Sequence, residues 1–470
     1  MKLDFWISVC DNGGVEGGQT MLTKISLENF RSFEQPAELT MVSSTKIRSN
    51  ADHRMQIKNT RLLRHAVVYG ANASGKTNLV EFFRFFATTL EIGLPAWSVR
   101  LFCKNHAENE KKDSSFEVQF SVDDTFYAYG FSALLSERRI TGEWLYELYQ
   151  NGSSRCIFER DVTAEQQITT KLTLPAAEKK RFKTYASDFS DNYSSLFLSE
   201  MNRNKKIAED SKLRVFREVF GWLRGHMIIY MPSAPITDFR YYYNADSLAL
   251  INRLIQTFDT GITNIHIEEI SLTELTKMLP EPILNDVMDD LRQRMEESGM
   301  SHIRVSMRSD TSFFNVEMDG SKEPKITTIR MKHGESFFDF GFEDESDGTR
   351  RLFDLMDMLL MNTDDVVFIV DELERSLHPK LTHRFLELYN ELHKDKRTQL
   401  IFTTHESSIM DQELFRRDEI WFVERAADNN SSLYSLDRFK ERYDKVLSKA
   451  YLEGRYGAIP AFSSFAFQGE

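Results

Sequence analysis

"VVYGANASGKTN", residues 67–78, is the stretch from which the rest of the chain can be read. A β-branched and aromatic run, Val67-Val68-Tyr69, stops at Gly70, and Gly75-Lys76-Thr77 follow at the spacing Gly-x-x-x-x-Gly-Lys-Thr of a P-loop. Glycines let consecutive backbone N–H groups point into one cavity and cradle phosphate oxygens. Gly70, Asn72, Ala73, Ser74, Gly75, Lys76, Thr77 and Asn78 are therefore the candidate nucleotide contacts. Lys76 is placed to reach the β- and γ-phosphates, and the Thr77 hydroxyl to ligate Mg²⁺. "NLVEFFRFFATTLEI" behind the loop is apolar at helical spacing, so the loop opens a helix whose N-terminal dipole favours anions. The bland alternative is a strand–turn–helix corner with a chance lysine. At an average glycine frequency of about 7%, that accident befalls about one or two chains per hundred of this length. A nucleotide site is the better reading.

The chain has 470 residues, room for two or three domains or one large one with insertions. Its net charge of −13 makes the surface as a whole unattractive to nucleic acid. Short basic clusters, "KKRFK" at 179–183 and "NRNKK" at 202–206, read first as solvated helix faces, which leaves a nucleic-acid role open. Cys10, Cys103 and Cys156 show no metal-ligand spacing and suit a reducing cytosol, so a cytoplasmic location is expected. No apolar run approaches the ~18 residues of a membrane span, so no membrane partner is expected.

Residues 1–20 carry the glycine-rich "DNGGVEGGQT" and read as a loose leader, or Met21 is the functional start. Residues 21–160 form an N-terminal segment holding the P-loop and a β meander, "FEVQFSVDD", "TFYAYGFSAL", "ITGEWLYELYQ" and "RCIFERD". Residues 161–300 turn mainly helical, with "SKLRVFREVFGWLRG", "DSLALINRLIQTF" and "EPILNDVMDDLRQRMEES" carrying apolar residues at steps of three and four. Residues 301–430 open with further strands and hold the remaining motifs, and 431–470 are a tail.

In "DDVVFIVDELERSLHP" an unbroken apolar run, Val366 to Val370, ends in Asp371-Glu372. Such a run reads as a central parallel strand covered on both faces, with ligands at its C-terminal edge. Asp371 is then a Mg²⁺ ligand, directly or through water, and Glu372 polarises the water that attacks the γ-phosphate. "QLIFTTH" is a second such strand, and His405 at its end can hydrogen-bond the γ-phosphate and that water. Between these elements, "EDESDGTRRLFDLMDMLLM" is an amphipathic helix with N-cap types at Ser346 and Asp347 and a permissive Gly348.

The order of these motifs resembles ABC-type ATPases, whose signature loop and helix N-terminus grip the γ-phosphate held by a partner subunit. The chain is similar to the RecF/SMC/OLD-type branch, and within it to the stand-alone bacterial ATPases of the AAA-15 and AAA-21 families. Those include ATPase subunits of anti-phage systems such as RloA-like and PARIS-type proteins. The motifs that carry the resemblance are "SLENFRSF" (26–33), "GANASGKTN" (70–78), "ESDGTRRL" (345–352), "VDELERSLHP" (370–379), "IFTTHESSIMD" (401–411), "RRDEIWFVER" (416–425) and "YLEGRYGAIP" (451–460).

The resemblance implies an α/β fold, a P-loop NTPase of ABC-ATPase head type with an antiparallel β subdomain and a mainly helical insertion. It implies ATP and Mg²⁺ as cofactors, Ser346 and Gly348 as the signature, Arg31 near the nucleotide, and "ERSLHP" as the loop crossing a dimer seam. No Q-loop glutamine can be placed, since Gln119 lies on an alternating strand. The interval from Lys76 to Ser346 is too short for long coiled-coil arms and has no C-x-x-C hook, which argues against a chromosome-bridging SMC protein. Too few residues follow His405 for a fused TOPRIM nuclease. The expected partners are a second copy or higher homo-oligomer, a separate nuclease or TOPRIM-type effector, and a phage-encoded trigger. A RecF-like DNA-repair ATPase and a regulatory nucleotide module with little hydrolysis are the rival readings.

Overall fold

The computed structural model describes residues 19–232, 242, 245–278, 281–298, 302–308, 313–319, 324–361, 364–439 and 446–460; counts and absences refer to these. Of the expected leader, residues 1–18 lie outside them.

The chain runs from strands β1 (Met21–Glu28) and β2 (Ala37–Thr40) through the hairpin β3 (Arg54–Ile57) and β4 (Thr60–Leu63) to β5 (His65–Tyr69) and helix α1 (Lys76–Ile92). Strands β6 (Ser114–Val122), β7 (Thr125–Leu134), β8 (Arg139–Leu148), β9 (Ser154–Asp161) and β10 (Ile168–Thr169) follow. Then come α2 (Ala176–Asp188), α3 (Phe197–Asn202), α4 (Val215–Gly225) and β11 (Met227–Tyr230). The next stretch holds α5 (Ala245–Ile255), β12 (Ile262–Ile270), α6 (Leu272–Met278), α7 (Glu281–Ser298), β13 (His302–Arg308), β14 (Phe313–Asp319), β15 (Lys325–His333) and α8 (Asp347–Leu360). The last elements are β16 (Val366–Val370), α9 (Pro379–His393), β17 (Thr398–Thr404), β18 (Ile420–Arg425), β19 (Ser431–Ser435) and α10 (Leu447–Leu452).

Two units result. The P-loop unit comprises the described residues of Glu16–Met231, Thr363–Leu373 and His393–Glu470. Its six-stranded sheet has the order β11-β16-β17-β5-β18-β19, parallel except for β19. Strands β5, β16 and β17 are buried along their whole length, β16 as an unbroken apolar run and the other two around apolar centres. The expected meander forms a seven-stranded antiparallel sheet, β10-β9-β8-β7-β6-β1-β2. Helix α1 touches both sheets. Phe85 and Phe86 pack on Phe116 and Phe131 of the antiparallel sheet, with ring centroids 5.0 and 5.5 Å apart, and α1 also contacts β11, β16 and β17. A helix apolar on most of its circumference has to be buried in this way.

Helices α2–α4 depart from the expected insertion boundary at 161. Phe182, Phe197, Phe216 and Trp222 join the same core as α1, and the Trp222 ring stacks on Phe120 at 4.3 Å. Their apolar stripes find their partners on the antiparallel sheet, so the division falls at 231/232.

The second unit comprises the described residues of Pro232–Asn362 and Glu374–Leu392. Its four-stranded antiparallel sheet has the order β12-β15-β14-β13. Leu275, Leu284 and Leu291 of α6 and α7 pack with Phe314, Val316 and Ile326 of that sheet. Among the described residues no helix is long and apolar enough to cross a membrane.

Candidate functional site

The parallel sheet presents the C-terminal ends of β5, β16, β17 and β18 along one edge, where open α/β sheets bind ligands. A cavity of about 620 Å³ lies there, lined by the P-loop from Asn72 to Asn78 and by Arg31, Glu372, His405 and Arg425. Arg100, Phe102, Lys104, Asn105 and Asn429 complete the lining with Ser32.

The loop is held by its surroundings. Gly75 has φ 114° and opens α1. A Cβ there would meet the hydroxyls of Ser32 and Ser431 at 2.6 and 2.7 Å, so glycine is required on both conformational and steric grounds. Ser431 donates to the Ser74 carbonyl at 2.6 Å, and Asn78 donates to the Ser32 hydroxyl at 2.8 Å. The Lys76 ammonium is buried and donates to the carbonyls of Gly70 at 2.7 Å and Ala71 at 3.1 Å. Arg31, at φ 56°, donates its backbone N–H to Leu101 at 2.6 Å and so lies on the cavity wall.

At the end of β16, Asp371 is buried and accepts a hydrogen bond from the Thr403 hydroxyl at 2.5 Å. The same hydroxyl accepts the backbone N–H of Glu372 at 2.9 Å. Thr77 also donates to Asp371, which ties the P-loop to the acidic strand end. Burial pushes the Asp371 carboxyl above its ordinary range; the bonds from Thr403 and Thr77 pull it down, the Glu372 charge adds to the rise, and Lys76 opposes it. Glu372 is half-buried at φ 49°, a strained conformation for a non-glycine residue that turns the chain out of the strand line. His405 is exposed just past the end of β17.

Ser346 and Gly348 belong to the second unit, whereas every residue lining the cavity belongs to the P-loop unit. Ser346 is the exposed N-cap of α8, its hydroxyl accepting the Thr349 N–H at 3.1 Å. A Cβ at Gly348 would meet the Ser376 carbonyl at 2.7 Å, so a close backbone approach demands glycine there. Gln119 does not line the cavity; its amide donates to Glu117 at 2.8 Å.

Sequence reasoning missed Thr403, which lies inside the quoted strand but looks like any polar strand-end residue. It also missed Arg425, Arg100 and Lys104, which reach the cavity from β18 and from the segment on either side of Leu101 by tertiary placement alone.

The family model described as "AAA domain, putative AbiEii toxin, Type IV TA system" matches residues 66–411. The chain belongs to this family. The family membership and the α/β P-loop fold expected from the motifs are thereby borne out. A comparison with curated protein sequences gives no match. Similar solved structures include the SmcHead bound to the C-winged helix domain of ScpA, at 13% identity over 88% of this chain and 98% of that one, TM-score 0.37. The SMC head domain from Thermotoga maritima gives 12% identity over 88% and 98%, TM-score 0.34. The Smc head domain with an extended coiled coil bound to the C-terminal domain of ScpA derived from Pyrococcus furiosus gives 13% over 93% and 100%, TM-score 0.37.

ATPase families of this kind use ATP with Mg²⁺, and the residues present fit both. The glycine-lined cradle and the Lys76, Arg31 and Arg425 cations suit a polyphosphate, and the Thr77 hydroxyl beside the Asp371 carboxylate is an oxygen donor pair suited to Mg²⁺.

Proposed function

We propose that this AAA-family chain is an ABC-type ATPase that binds and hydrolyses ATP between two copies of itself, in the cytoplasm. The observation that carries the reading is the Thr403 hydroxyl, which locks Asp371 and Glu372 in place beside the P-loop. Lys76 leaves its loop carbonyls for the phosphates, and Thr77 and Asp371 hold Mg²⁺, which neutralises phosphate charge when bound. Glu372 takes the proton of the attacking water, and His405 steadies the γ-phosphate. Arg31 contacts the nucleotide from the cavity wall. Ser346 and Gly348, at the open N-terminus of α8, serve the nucleotide of the other copy.

The chain then acts as the sensor or scaffold of an anti-phage, toxin-controlling system. A separate nuclease or TOPRIM-type effector carries out the damage, and a phage-encoded trigger sets the nucleotide state. The family description, with its toxin and type IV system, supports this assignment. Light scattering on the Glu372→Gln variant tests the assembly: ATP is expected to convert it to a dimer or larger oligomer. A particle size indifferent to ATP contradicts the reading. Affinity purification from infected cells then shows whether an effector travels with it.

One observation favours the RecF-like rival. Lys179, Lys180 and Lys183 are exposed along α2 and line a surface depression of about 550 Å³ with Thr184 and Ser187. Stimulation of ATP turnover by duplex DNA, lost in a triple Lys→Glu variant, decides for that reading.

A further inference from the structure

His53, His65 and Glu419 meet inside the P-loop unit, with side chains 8%, 1% and 0% exposed. His65 opens β5 and Glu419 immediately precedes β18, so the cluster sits at the edge of the parallel sheet opposite the P-loop. His53 Nδ1 is 2.9 Å from one oxygen of Glu419, and His65 Nδ1 is 3.3 Å from the other. The two imidazole centroids are 5.0 Å apart, and the donor atoms of all three residues lie within 4.8 Å of one another.

We propose that these residues form a structural zinc site, with two imidazole nitrogens and the carboxylate as ligands. Each Glu419 oxygen faces a different imidazole nitrogen, so the carboxylate bridges the two rings. Zinc holds histidine nitrogen and carboxylate oxygen at about 2.0–2.2 Å, which sets neighbouring tetrahedral donors roughly 3.3 Å apart. The 2.9 and 3.3 Å separations are close to that spacing. Imidazole donors select zinc-like cations over Mg²⁺ and Ca²⁺, which take all-oxygen shells. The carboxylate is oriented from outside the cluster: the Arg416 backbone N–H donates to one oxygen at 2.8 Å and the His65 backbone N–H to the other at 3.3 Å. Such outer contacts are what a metal site needs to fix its ligands.

The site joins the turn before β3 and the start of β5, which flank the β3–β4 hairpin, to the turn before β18, which is remote in sequence. It staples the strand that ends in the P-loop to its neighbour β18, and it takes no part in hydrolysis. The inference therefore stands or falls independently of the proposed function.

The test uses the full chain stripped with a chelator and reloaded with CoCl₂, in an Asp371→Asn, Glu372→Gln background so that the two acids at the end of β16 offer no competing carboxylate. A single cobalt ion per chain, a tetrahedral visible absorption band and a raised thermal midpoint are expected. His53→Gln keeps an amide that can donate to Glu419 but withdraws the imidazole, so the band and the thermal shift should disappear while the fold persists. No tetrahedral band in folded protein, or an unchanged band in folded His53→Gln, overturns the site. If that variant does not fold, X-ray absorption of the zinc-loaded parent decides. A shell of two imidazoles and a carboxylate supports the site, and an oxygen-only shell or failure to retain zinc overturns it.

Discussion

The Thr403 hydroxyl donates to Asp371 at 2.5 Å while accepting the Glu372 backbone N–H at 2.9 Å. One side chain on β17 therefore sets both acids at the end of β16. Thr403→Val preserves shape and removes both bonds, leaving the Glu372 N–H without this acceptor. We expect ATP affinity within a few-fold of the parent and a kcat about tenfold lower, corresponding to ~1.4 kcal/mol. Steady-state kinetics with an unchanged kcat would show that the two acids hold their places without Thr403.

Lys76→Ala should weaken ATP binding by about a hundredfold, ~2.7 kcal/mol, because the cavity loses its buried, charge-assisted donor. Isothermal titration reads this directly, and parental affinity would remove the P-loop assignment. Glu372→Gln should bind ATP normally and turn over about 10²–10⁴ times more slowly, since an amide cannot accept the proton. Parental turnover in that variant would place the base elsewhere.

Gly348→Ala reverses an ordinary expectation. Alanine in a helix is normally about 1 kcal/mol better than glycine. Here the added Cβ falls 2.7 Å from the backbone carbonyl of Ser376, so the variant should be destabilised by about 1–3 kcal/mol. Thermal unfolding showing a gain would mean that the α8 N-terminus and the Ser376 turn are not held this close. A larger residue at Gly348 is also an unclean probe of catalysis, because it disturbs its own chain first.

Glu143 is buried under the start of α3, accepting the N–H groups of Phe197 at 2.6 Å and Leu198 at 2.9 Å and the Tyr129 hydroxyl at 2.9 Å. Burial raises its carboxyl above the ordinary range, against the Arg160 charge and these hydrogen bonds, which pull it down. The folded state therefore binds this proton more tightly than the unfolded chain. Stability contributed by the protonated form is lost as pH rises from the ordinary carboxyl range through the raised folded value, and is level above it. Glu143→Gln should flatten denaturation midpoints across that window. An undiminished slope would assign the pH dependence to other groups.

Much of the site was legible because its parts are local. Gly70 to Asn78 and Val366 to Glu372 are short runs whose residue types alone point to a glycine-containing loop opening a helix and to a buried strand with acids at its end. What escaped depends on distance in sequence. Thr403 gains its role from lying beside β16, and Arg425 from β18 pairing with β5. The expected boundary at 161 and the division at 231/232 differ for a related reason: the apolar stripes of α2–α4 announce helices but not which surface they cover, and that surface is the antiparallel sheet. Glu419 is separated from His53 and His65 by hundreds of residues, and no local pattern announces the three together.

If ATP is hydrolysed between copies, the Ser346 loop of one serves the P-loop of the other. Ser346 is exposed, so Ser346→Arg puts a long charged side chain where the partner's nucleotide is to be gripped without disturbing the core. Alone, Ser346→Arg should bind ATP and hydrolyse poorly, and Lys76→Ala should be inactive. The decisive measurement is the ATPase rate of an equimolar mixture of the two. Each mixed dimer then contains one site with both defects and one with neither, so activity is expected to reappear. A mixture no faster than its components, with mixed dimers demonstrated, would contradict hydrolysis between copies, as would parental activity of Ser346→Arg alone.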